Sequence, residues 1–302
     1  MNPEAQAMLS DDKQSGVLIV REDEAQRYKI LKWVALALLA ISGIIQIIMV
    51  AAFESFDVDV DTVTVLRRGA NAGSSNAYPL TTIEAFSVAD TSLYFAIAQL
   101  FAALGFVLVA VLHGKETDQI ARGSDGYLWG SLMIGQIPLF LAVALLSGAS
   151  SVIELTLLSA VVFAWIGVFL LGDVINQYFY RNAMFKFGGY TWSWAFLVVS
   201  ALLFLVYIGI VITHMVFTFF PGDEALAAGV VAPRTSLIAV PIVTIVIYLV
   251  FIVFILAHYL RWFFEKTIDV VFALQIVQLV LALVVPWLAL GINFGVEAPG
   301  LG

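Results

Sequence analysis

Seven separate runs of apolar side chains, each long enough to cross a bilayer, constrain this chain more than any motif it carries. A helix needs about 20 apolar residues to span the hydrocarbon layer. The runs fall at Trp33–Phe53, Ser92–Leu112, Leu128–Leu146, Val152–Leu171, Trp192–Phe220, Leu237–Leu260 and Val270–Phe294. Lipid offers the backbone no hydrogen-bonding partner, so each run is read as a helix that satisfies itself. Composition agrees, since 62% of the 302 residues are hydrophobic and 12% are charged, roughly half the charged share of a soluble domain. The sequence therefore predicts an all-α membrane protein, a seven-transmembrane-helix bundle. Cysteine is absent, which excludes disulfides and thiolate metal sites. A polar stretch precedes the first run and no small-residue cleavage site follows it, which argues against a removed signal peptide.

Lysine and arginine set the expected orientation. With the N-terminus cytoplasmic, eleven of the 14 fall on the inner side, and only Arg67, Arg68 and Arg234 lie outside. That bias predicts N-terminus in and C-terminus out, in a multi-pass protein of the cell membrane. Residues 1–29 read as a polar cytoplasmic tail, 30–294 as the membrane domain and 295–302 as a short external tail. "SGASS" (147–151) joins the third and fourth spans, which forces an antiparallel hairpin. The external segment 54–91 opens with "DVDVDTVTVL" (57–66), alternating like a half-exposed strand. Its phase slips once, so an extra residue near Thr62 is expected to bring Val58, Val60, Val63 and Val65 onto one buried face. "LTTIEAF" (80–86) is expected to return as the second strand of a β-hairpin. The Asp57, Asp59, Asp61 spacing invites calcium, but an EF-hand loop wants glycine and glutamate where Thr62 and Arg68 stand. A solvated acidic face is the simpler reading. The acidic excess, 22 Asp and Glu against 14 Lys and Arg, suits a salt-rich exterior and a halophilic source.

Catalytic constellations are not apparent. A membrane protease needs paired aspartates or a facing serine and histidine, whereas Asp173 has no intramembrane aspartate partner. His113, His214 and His258 fall on or beside three different spans, without the clustering that metal hydrolases need. No phosphate loop and no basic patch for nucleic acid is present, so the chain is not read as an enzyme. The spans instead carry amides: Gln46, Gln99, Gln136, Gln275 and Gln278, with Glu154 near the outer end of the fourth. Such groups either bond helices together or line a small polar cavity.

The seven spans, inner N-terminus, strand-bearing first external loop and tight third-to-fourth connection resemble the heliorhodopsins. "FILAHYLRW" (254–262) is similar to the end of that family's sixth helix, and "IIQIIMV" (44–50) to its first-helix stretch around a glutamine. Trp129 resembles a tryptophan at the start of the third helix. The likeness covers about residues 30 to 293.

The resemblance implies a retinal Schiff base on a seventh-helix lysine, and there this chain departs from it. Gln278 stands where the lysine belongs, or Ala282 if the register slips by a turn. The lysines (13, 29, 32, 115, 186 and 266) all lie outside a span or at its edge. The counterion position falls on Ser131, with Asp125 in a rival register, and the pocket histidines correspond to Gly43 and Phe106. A buried cation requires a nearby carboxylate, so the loss of both together is what electrostatics favours. Pocket candidates are then Gln278, Gln275, Ser131, Trp129, Gln136 and Gln46. The expected cofactors are none covalent, with retinal or a carotenoid held non-covalently still open. Expected partners are the lipid bilayer, a second copy in a homodimer by resemblance, and an unidentified protein. Two roles remain: a receptor-type scaffold with an apolar ligand, or a non-photochemical accessory protein whose pocket is filled. Pocket volume separates them. If Gln278 and Ser131 are both interior and near one another, Gln278→Lys with Ser131→Glu, and less so the lysine alone, is expected to form a visible pigment with added retinal.

Overall fold

The computed structural model describes residues 22–52, 57–63, 83–121, 126–149, 152–181, 189–220, 235–260 and 267–294. Seven helices in it are long and apolar enough to cross a membrane: α1 (Glu22–Ala52), α2 (Thr91–Val111), α4 (Gly126–Leu146), α5 (Val152–Arg181), α6 (Gly189–Phe219), α7 (Ala239–Leu260) and α8 (Thr267–Phe294). A 3₁₀ turn, Thr235–Ile238, leads into α7. The structure also contains a short helix that the sequence pattern did not signal, α3 (His113–Ala121), which follows α2 after Leu112. Helix α1 starts at Glu22, ahead of the expected tail boundary at residue 29, because Glu22–Lys29 is polar but rich in good helix formers.

Between α1 and α2 the backbone forms two antiparallel strands, β1 (Asp57–Val63) and β2 (Ile83–Asp90). Their register shifts between Val60 and Asp61: Val60 pairs with Ser87, but Asp61 pairs with Ala85. The extra residue is therefore Phe86, on β2, and not one near Thr62 on β1. A bulge places two residues opposite one, and the returning strand supplies the two. The expected valine face, residues 64–82, the stretch 1–21 with its "GVLIV", Asp125 and the C-terminal tail lie outside the described residues.

Neighbouring helices follow the chain around a ring, α1 on α2, α2 on α4, α4 on α5, α5 on α6, α6 on α7 and α7 on α8. Helix α8 closes it against α1, α2 and α4. Two glycines allow the tightest crossing. A Cβ on Gly105 would stand 2.5 Å from the Ser131 carbonyl oxygen, and one on Gly135 would stand 2.9 Å from the Ala102 Cα. Small residues at such points let backbones approach where lipid gives no hydrophobic drive. Pro138 and Pro286 sit inside α4 and α8, and both helices continue past them.

Six of the membrane helices carry an exposed apolar face, as in Ile30, Trp33, Leu38, Ile41, Ile44 and Ile48 on α1, whereas α4 has no exposed residue and is central to the bundle. The opposite face packs inward. The central core is aromatic: Phe140 of α4 meets Trp165 edge-on at 5.5 Å, Tyr207 edge-on at 4.6 Å and Tyr248 tilted at 4.3 Å. These rings come from α4, α5, α6 and α7, so they lock four helices together through edge and tilted contacts of the favourable kind.

Candidate functional site

The amides are the natural starting point. Gln278 is buried on α8, and its side chain meets Ser131 on α4. The Ser131 hydroxyl donates to Gln278 Oε1 at 3.2 Å, and Gln278 Nε2 donates to the Ser131 carbonyl at 3.4 Å. The positions matched to a lysine and its counterion are thus in direct contact, occupied by two neutral groups. Ala282, the slipped register, is buried among Ala35, Leu39, Ala102, Ala103, Phe106 and Val109. Phe106 fills part of that region, and Gly43 packs against the Leu100 side chain. Asp125, the rival counterion, lies outside the described residues.

The other candidates do not join this pair into one pocket. Gln136 accepts a 2.6 Å hydrogen bond from the Tyr248 hydroxyl through Oε1, while its Nε2 has no partner among the described residues. Trp129 stacks on Phe169 with ring centres 4.5 Å apart, its indole N–H also without a described partner. Both residues border a cavity of about 10 Å³, closed by Leu132, Trp165, Ile166, Phe169 and Phe251. Gln278 does not line it. Gln46 and Gln99 are fully buried on α1 and α2, and no described group bonds either amide. Glu154 and His214 approach to 3.6 Å between α5 and α6, both partly exposed.

Gln275 leads to something the sequence pattern did not announce. Its Nε2 donates at 2.8 Å to Glu116 Oε1 on α3. Glu116 Oε2 pairs with the ammonium of Lys32 on α1. Lys32 Nζ lies 3.1 Å from His113 Nδ1. An ammonium can only donate, so that ring nitrogen accepts and the His113 proton sits on Nε2. Lys32 and Glu116 are 2% and 1% exposed, which makes this a buried ion pair. Lys32, placed at a span edge on sequence grounds, is in fact an interior residue. A signal was available: Lys32, Ala35, Leu39, Ser42, Gln46 and Val50 recur every three or four residues and form the buried stripe of α1. Glu116 had no such signal, because its burial depends on how α3 packs against α1 and α8.

Electrostatically the bundle divides in two. Its centre is neutral, held by amides, hydroxyls and aromatic rings. Among the described residues the buried Lys32–Glu116 ion pair lies towards the end where α1 begins. Burial first, then the neighbouring Lys32 and Lys29 ammonium groups, push the His113 imidazole down to about 4, against the opposing bond to the Ala25 backbone. Among the described residues no three His, Asp or Glu side chains are grouped to hold a metal. No family model matches the chain, and no curated protein matches it.

Proposed function

We propose that this multi-pass membrane protein is a non-photochemical, non-enzymatic accessory or interaction component built on a heliorhodopsin-like frame. The observation that carries this reading is the interior volume. A site for a retinal-sized ligand needs on the order of 300 Å³, and the cavity beside Trp129 and Gln136 holds about 10 Å³. Phe140, Trp165, Phe204, Tyr207 and Tyr248 occupy the space between α4, α5, α6 and α7. The Gln278–Ser131 hydrogen bond supports the same reading, because it leaves neither an amine nor a carboxylate where a Schiff base would need them. The alternative, a receptor scaffold with a non-covalent retinal or carotenoid, would require that aromatic core to open.

In this reading the protein acts through its outer surfaces. The N-terminus faces the cytoplasm, as eleven Lys and Arg residues against three favour, and β1 and β2 lie outside. A second copy is the partner we propose within the membrane, by resemblance, with the exposed faces of the helices available to it. The deciding experiment adds all-trans retinal, and separately a carotenoid, to purified protein in detergent. No saturable uptake and no red-shifted visible band are expected. Stoichiometric uptake of either pigment would overturn the filled-core reading in favour of the receptor scaffold.

A further inference from the structure

Helix α3 is held to the bundle by very little apolar surface. It has nine residues, and of those whose side chains are described Glu116 and Ile120 are buried. A helix this short is not stable alone in water, so docking must sustain it. Leu112 alone separates it from α2. Backbone hydrogen bonds from Leu112 to Leu108 and from Glu116 to Leu112 carry the helical pattern across that junction, so a change there is a local break of these bonds. Apart from Ile120, which joins the hydrophobic core, the described bonds that meet it from the bundle are polar: the Lys32 ammonium from α1 and the Gln275 amide from α8 both bind the Glu116 carboxylate, and Lys32 also reaches His113. One carboxylate on α3 therefore ties together two membrane helices that are far apart in sequence.

We propose that Lys32 and Glu116 form a latch that docks α3 across the ends of α1 and α8, and that α3 is the switchable element at this end of the bundle. The inference goes beyond the proposed function and does not rest on it. A buried ion pair is a suitable holding device for a switch, since the cost of desolvating both charges offsets much of their attraction. Docked and released states are then close in free energy, and a small bias moves the population between them. Releasing α3 would rehydrate both charges at once and uncover Gln275 and Ile120. An apolar contact of the same area would offer no such route, because exposing it gains nothing from water. The groups that face the pair are Lys29 from α1, His113 from α3 itself and the uncharged Gln275 from α8.

Hydrogen exchange of the full chain in lipid nanodiscs tests the latch. Glu116→Gln and Lys32→Met should each speed exchange of the α3 amides, residues 113–121, by about tenfold or more, while α4 amides keep their protection. The charge-swapped protein, Lys32→Glu with Glu116→Lys, should recover the slow exchange of α3. Unchanged α3 exchange in both single variants would overturn the proposal. Should the singles lose α4 protection as well, the swap decides: recovered α3 protection upholds the latch, and failure to recover it refutes it.

Discussion

At the residue scale the most consequential side chain is Lys32, because its charge is buried and it joins α1 to both Glu116 and His113 of α3. Removing one member of such a pair strands the other. With α3 held in place Lys32→Met would cost about 3–5 kcal/mol, but release of α3 rehydrates Glu116 and caps the loss below that; Lys32→Met with Glu116→Leu should restore most of it. Unfolding in mixed micelles, followed by tryptophan fluorescence, separates the two outcomes. His113 adds a pH dependence whose sign follows from its lowered value. The folded chain keeps the ring neutral between the ordinary 6.5 and about 4, where the unfolded chain would take up a proton. Its contribution is complete above 6.5 and is lost as pH falls towards about 4. The ring is partly exposed, so screening reduces the effect. Stability measured from pH 7.5 down to 5 should fall in the parent protein and fall less in His113→Gln. Lys29, Lys32 and Glu116 are the charged groups that face the ring, and a profile unaltered by His113→Gln would assign the slope to them.

Between elements, the packing rests on glycines that stand opposite backbone. Gly105→Ala would put a methyl 2.5 Å from the Ser131 carbonyl oxygen, which no side-chain rotation relieves. A loss of about 1–3 kcal/mol is expected, as for other overpacked cores. Gly209 and Gly291 have open space around the same position, so alanine there should be neutral or stabilise by up to about 1 kcal/mol. A thermal-shift series over the three variants checks the contrast, and a Gly105→Ala protein as stable as the parent would show that α2 and α4 can separate. The elements themselves were legible to different degrees. Span lengths follow directly from the bilayer's thickness, so Val152 and Leu146 bound their helices as the sequence suggested. The strand pairing was legible in β1, but the bulge was not, because register belongs to two strands and only the pair reveals that Phe86 is extra. Helix α3 was invisible for a related reason: "HGKETDQIA" is polar all round, and its one informative residue, Glu116, is defined by a lysine 84 positions away.

For the whole molecule, the question is whether the frame can accept a chromophore. Residue pairing was readable from the chain, since Gln278 and Ser131 do touch. Volume was not readable, because it is the remainder after every side chain from four helices has been placed. That remainder reverses the expectation for the restored ion pair. Gln278→Lys with Ser131→Glu should fold with the two side chains in contact, since each replaces a member of an existing hydrogen bond between α8 and α4. With about 10 Å³ free beside Trp129 and Gln136, however, that cavity cannot take retinal. The double variant is expected to stay colourless after incubation with all-trans retinal. Adding Trp165→Ala should change this, as that ring is a wall of the cavity and packs on Phe140, Phe204 and Tyr248. A visible band in the triple variant but not the double would identify aromatic filling as the remaining block to a pigment. A band in the double variant itself would mean that the aromatic core opens readily, and that the receptor reading describes the protein better than the accessory one.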